Sequence, residues 1–89
     1  MKFNHWDLGQ QSAGTVVKVM LTGNAANVRV MDSSNFNSFK NGGSARGVGG
    51  HYKASPAVLQ IPASGHWVLV IDYGGYVGKG TAAVHVLAA

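Results

Sequence analysis

The chain has no cysteine, no glutamate and only two prolines among its 89 residues; Asp7, Asp32 and Asp72 are its only acidic side chains. Without cysteine there is no disulfide framework, no thiolate nucleophile and no Cys-ligated zinc. A fold of this size without disulfides suits a reducing compartment. Three aspartates leave little material for the paired carboxylates of a glycosidase. Charged residues make up 11% of the chain, less than half the usual share, while the hydrophobic 46% is ordinary for a globular domain, which excludes a disordered chain. No apolar run reaches the roughly 20 residues of a membrane-spanning helix. The opening Met1-Lys2-Phe3-Asn4-His5-Trp6-Asp7 has no secretory apolar stretch. The expectation is one cytoplasmic domain, residues 1–89, with no membrane partner.

What is present alternates with a period of two. Val17, Val19 and Leu21 fall on one phase, with Lys18 and Thr22 on the other. Ala26, Val28 and Val30 oppose Asn27 and Arg29, and Ala57, Leu59 and Ile61 oppose Val58 and Gln60. Phe3, His5 and Asp7 alternate with Asn4, Trp6 and Leu8; Ala82, Val84 and Val86 alternate with Ala83, His85 and Leu87. Residues 66–73 are apolar on both phases at their centre, as in a strand covered on both sides. Residues 49–54 give a weaker strand signal. Gly9–Gly14, Thr22-Gly23-Asn24, Pro62–Gly65 and Gly74-Gly75 lie between these runs, where turns need Gly, Asn or Pro. The pattern predicts an all-β fold, a small antiparallel β-sandwich of 6–8 strands with a jelly-roll or Greek-key-like winding.

One segment departs from it. Residues 33–40 predict a short helical turn, with Asp32 or a following Ser as N-cap and Asn41-Gly42 closing its end in the left-handed region. Phe36 and Phe39 share a face and are expected to plug one end of the sandwich. The glycine-rich stretch Gly42–Gly50 reads as a mobile loop.

Candidate chemistry is sparse. The first glycine-rich loop, with Lys40, Arg46, His51 and Lys53 around it, can offer amides and positive charge to an anion. It matches neither the phosphate-loop pattern, with Val48 where Lys is required, nor the dinucleotide fingerprint, with Tyr52 at the third glycine. The second stretch, Asp72–Gly80, displays Tyr73 and Tyr76 beside Lys79, side chains suited to a protein contact. His5, His51, His66 and His85 show no metal-ligand spacing, and no nucleophile elbow surrounds Ser44. His5 and Asp7 share a strand phase, an arrangement that can orient an imidazole. Trp6 and Trp67 are expected in the core. The +4 net charge is spread along the chain without a run.

The stretches Lys2-Phe3-Asn4-His5-Trp6-Asp7-Leu8-Gly9, Gly23–Phe36 and Ser64-Gly65-His66-Trp67-Val68, with Asp72-Tyr73-Gly74-Gly75-Tyr76, are together similar to a bacterial domain-of-unknown-function family, number eighteen eighty-three. Asn27-Val28-Arg29-Val30-Met31-Asp32, followed by Asn35-Phe36, carries the most specific part of the resemblance. The resemblance implies a small β-sandwich. It also implies a recognition or assembly role, because members occur alone or fused ahead of TIR domains, NAD-consuming or scaffolding modules of immune systems. No TIR module is in this sequence, so no NAD chemistry carries over, and the family offers no agreed catalytic residues to transfer.

The leading expectation is a non-catalytic recognition or self-assembly module, not an enzyme, with a protein or a second copy as partner and no cofactor or metal. Its contact surface is placed at Tyr73, Tyr76 and Lys79, with Arg46, His51 and Tyr52 nearby if the two glycine-rich loops share an end. The second reading is binding of an anionic ligand or nucleic acid by the basic glycine-rich loop. The third is a small hydrolase using His5, Asp7 or Asp72.

Overall fold

The computed structural model describes residues 3–23, 25–74 and 80–87. Seven strands and one helix follow in chain order: β1 (Phe3–Gln11), β2 (Val16–Gly23), β3 (Ala26–Asp32), α1 (Ser33–Lys40), β4 (Val48–Tyr52), β5 (Ala57–Gln60), β6 (Gly65–Asp72) and β7 (Gly80–Leu87). They form two antiparallel sheets, one ordered β1-β6-β3-β4 and a smaller one ordered β5-β2-β7. Of the strands consecutive in sequence, only β3 and β4 are neighbours in a sheet, so the chain crosses repeatedly between layers in a Greek-key-like manner.

The alternation read from the sequence is the alternation of burial. Val17, Val19, Ala26, Val28, Val30, Ala57, Leu59, Ile61, Trp67, Leu69 and Ile71 fill the space between the sheets, with Trp6, Leu8, Leu21, Ala82 and Val84 packed against them. Trp67 is buried there and its indole N–H donates to the Ala63 carbonyl at 2.9 Å, so its one polar atom is satisfied.

β6 is apolar on both phases because it is covered on both faces. Trp67, Leu69 and Ile71 face the small sheet. Val68 and Val70 face outward, where Met31 and Phe36 bury them. The helix therefore does not plug an end of the sandwich. It lies across the outer face of the large sheet, with Phe36 and Phe39 meeting Phe3 edge-on at ring separations of 6.0 and 5.0 Å. An amphipathic helix settles on the largest apolar surface it can reach, and β6 and β3 offer that surface directly beneath its start.

Both helix ends are closed by the residues named from sequence. The Asp32 carboxylate accepts from the Asn35 N–H at 2.8 Å and from the Asn35 amide at 3.0 Å. At the other end Gly42 takes φ +82°, its N–H donating to the Phe39 carbonyl at 3.1 Å while the Gly43 N–H reaches the Ser38 carbonyl at 2.8 Å. This is the paired closure that needs a residue in the left-handed region, where a side chain is strained.

Two boundaries differ from expectation. β1 continues through Gly9-Gln10-Gln11, which the sequence marks as turn; Gly9, at φ +69°, sits in a bulge and donates its N–H to the Asp7 carboxylate at 2.8 Å. Glycine serves turns and bulges alike, because both need positive φ. The expected loop 42–50 also ends early: Val48, Gly49 and Gly50 pair with Val30, Arg29 and Val28.

Candidate functional site

The outer face of the large sheet carries the most organised polar cluster. Asn27, Arg29 and Met31 alternate outward on β3, and Asp72 ends β6 directly opposite Asn27. Asp72 is only 1% exposed, yet its carboxylate accepts from Asn27 Nδ2 at 3.0 Å, Arg29 Nη2 at 3.0 Å and the Gly74 N–H at 2.8 Å. Burial by itself would raise its pKa. The hydrogen bonds from Asn27, Gly74 and Arg29, with the Arg29 charge, outweigh burial and hold the carboxyl below its ordinary value. The Arg29 guanidinium lies 5.1 Å from the centre of the Phe39 ring, and its Nε is buried without a partner. Asn27 Oδ1 lies 3.1 Å from His51 Nδ1, which extends the network onto β4.

A cleft of about 180 Å³ opens beside this cluster, lined by Phe3, Phe39, Lys40, Gly42 and Gly43. The amides of Gly42 and Gly43 are spent closing the helix, and the Arg46 N–H donates to Asn35 Oδ1 at 2.8 Å. The first glycine-rich loop thus presents little of the amide cradle that an oxyanion would need.

Of the six residues named as a contact surface, the described four do not form one patch. Val48 pairs with Val30, and Tyr52 pairs with Ala26 at the other end of β3, so Arg46 and Tyr52 lie toward opposite ends of the large sheet. Tyr73, Tyr52 and His51 share one end, but Tyr73 and Tyr52 pack against the core instead of standing out from it. Tyr76 and Lys79 lie outside the described residues. β4 carries the chain from Val48, opposite Val30, to Tyr52, opposite Ala26, which sets Arg46 apart from Tyr52.

The aspartate–histidine pairing also differs. Asp7 contacts His66 Nε2 across the β1–β6 ladder at 2.6 Å, while His5 stacks near Phe3 and Phe36. The Gly9 N–H, with His66 and His5, holds the Asp7 carboxyl below its ordinary value. Both members of the Asp7–His66 pair are well exposed, so it is a surface contact. Among the described residues no three His or Asp side chains are grouped to hold a metal ion. Among them, too, no helix is long and apolar enough to cross a membrane.

The small sheet carries a different kind of surface. Its outward phase sets Val16, Met20, Val58 and Leu87 around Lys18 and His85. Among the described residues, the exposed large hydrophobic side chains Met20 (40%), Val58 (54%), Val86 (43%) and Leu87 (50%) belong to this sheet, and Val48 (36%) lies elsewhere. The signal in the sequence was Val58 beside Leu59, and apolar residues on both phases of 81–87 although only one phase faces the core.

These features define a class: a small antiparallel β-sandwich with one capped helix over its larger sheet, a charge cluster around Asp72 on that face and exposed apolar side chains on the smaller sheet. A family model described as "Domain of unknown function (DUF1883)" matches residues 1–89, and the chain belongs to that family. No curated protein and no solved structure matches it.

Proposed function

We propose that this domain is a non-catalytic self-assembly module that associates through its small sheet. The observation that carries the reading is the concentration of exposed Met20, Val58, Val86 and Leu87 on that one sheet. Scattered exposed hydrophobics are ordinary, but several on one sheet favour contact with another protein surface. The three carboxylates are occupied in structural roles: Asp72 in the Arg29 cluster, Asp32 at the helix cap and Asp7 at the bulge and His66. That arrangement favours an interaction role over a hydrolase built on Asp7 or Asp72. The anion-binding reading draws less support, because the amides of Gly42, Gly43 and Arg46 are already donated.

Sedimentation velocity on the full chain between about 1 and 500 µM tests the proposal. Self-association predicts a weight-average sedimentation coefficient that rises with concentration and a rise that Leu87→Lys reduces. A monomer throughout that range overturns it.

A further inference from the structure

The sandwich has four strand edges, and three carry features that discourage pairing with another chain. β1 is interrupted by the bulge at Asp7 and Gly9 and displays the Asp7 carboxylate. β4 has five residues with two adjacent glycines, Gly49 at φ +141°. β5 has four residues, Ala57–Gln60, with Pro56 just before and Pro62 just after. Short strands, bulges, charges and prolines are the usual means by which sheets block edge-to-edge addition. β7 has none of them. It pairs with β2 over eight residues, Gly80–Leu87, in uninterrupted register, and its sequence Gly-Thr-Ala-Ala-Val-His-Val-Leu contains no Lys, Arg, Asp, Glu or Pro. Among the described residues it is hydrogen-bonded on one side only.

We infer that β7 pairs antiparallel with β7 of a second copy about a two-fold axis at Val84, joining the two small sheets into one continuous sheet. The inference rests on the reading of the domain as a self-assembling module and names its mode. A two-fold axis normal to the sheet sets like phases side by side, so Ala82, Val84 and Val86 of both copies stay on the core side. With Val84 opposite itself, Val86 meets Ala82, His85 meets Ala83 and Leu87 meets Thr81. Each of these three pairs joins a larger side chain to a smaller one, and no like charges face each other directly. Val86 supplies the second observation. It lies opposite fully buried Val17, on the core phase, yet is 43% exposed. The two sheets approach each other most closely at β4 and β5, on the far side from β7. An added strand beside β7 would cover Val86. Such a ladder buries on the order of 800 Å² in total, below a standard stable interface, so the dimer is weak and concentration-dependent.

The absence of cysteine makes the test clean. Val84→Cys introduces a single thiol at the axis, and Lys18→Cys places one on the outer face of β2, where face-to-face association would bring its thiols together. Under mild oxidation at about 200 µM, Val84→Cys is expected to form covalent dimer at least about tenfold faster than Lys18→Cys, because the axis holds its two thiols at high effective concentration. In a Cys-free background, Ala83→Lys, which puts a charge on this edge opposite His85 of the other copy, is expected to weaken association about tenfold. Adding His85→Glu should restore it. If the protein associates but Val84→Cys cross-links no faster than Lys18→Cys, the β7 mode is wrong and the self-assembly reading stands. If the wild-type chain stays monomeric and Val84→Cys stays reduced, both fall.

Discussion

Replacing Arg29 with methionine isolates what the charge cluster on the large sheet contributes. The methionine stem keeps apolar contact over Phe39 while the guanidinium, and its 3.0 Å bond to Asp72, are lost. Removing one partner from a fully buried ion pair costs about 3–5 kcal/mol. Here the Arg29 side chain is 28% exposed, and Asp72 keeps its bonds from Asn27 and the Gly74 N–H, so about 2 kcal/mol is expected. For a domain of this length that is a fall of roughly 10 °C in melting temperature. The pH dependence follows from the same bonds. The folded Asp72 pKa is lowered from 3.8, so the carboxylate stabilises the fold above that value and its contribution is lost as pH falls through the lower folded value. Without Arg29 the upward push of burial is less opposed, the folded and unfolded values lie closer together, and the variant has less stability to lose as pH falls. Thermal unfolding followed by circular dichroism from pH 7 to pH 3 should show the gap between the proteins narrowing at the acid end. A difference below about 2 °C at pH 7, or one that does not change with pH, would refute the reasoning.

Other substitutions probe the elements that set the fold. Asp32→Ala removes the helix cap and is expected to cost about 1 kcal/mol, lowering the urea midpoint by about 1 M, while Asp32→Asn retains most of the stability. Gly49→Ala would place a Cβ 2.0 Å from the Val28 carbonyl at a backbone angle that side chains avoid, so β4 must detach from β3. A loss above about 3 kcal/mol and faster amide exchange in β4 are the expected readouts. Asp7→Asn, at an exposed pair, should leave the melting temperature within about 2 °C.

The strands were legible because burial on one face writes a period of two into the chain. Val17, Val19 and Leu21 on β2 and Ala26, Val28 and Val30 on β3 each occupy one phase and face the other sheet. The double apolar phase of β6 correctly signalled two covered faces. Asp32 and Gly42 were readable because caps depend on local geometry, and local geometry selects few residue types. The covering element over β6 was not readable: Phe36 and Phe39 specify a sticky face on the helix, not the surface it meets. Nor was the Asp72 cluster, whose partners Asn27 and Arg29 are 45 and 43 residues away and are brought beside it only by the β3–β6 pairing. That Arg46 lies apart from Tyr52 was not readable for a related reason. Tyrosines near glycines suggest display, but Tyr73 and Tyr52 pack partly buried against the core. The apolar surplus on β7 becomes meaningful only once the strand is known to be an edge.

The central claim is that β7 is an assembly edge, and amide hydrogen exchange on the wild-type chain addresses it residue by residue. Amides of Thr81–Leu87 that point away from β2 should exchange rapidly in dilute protein and slow progressively as concentration rises, while amides in β1 and β4 keep constant rates. Equal exchange in β7 at every concentration, alongside association seen by sedimentation, would contradict it.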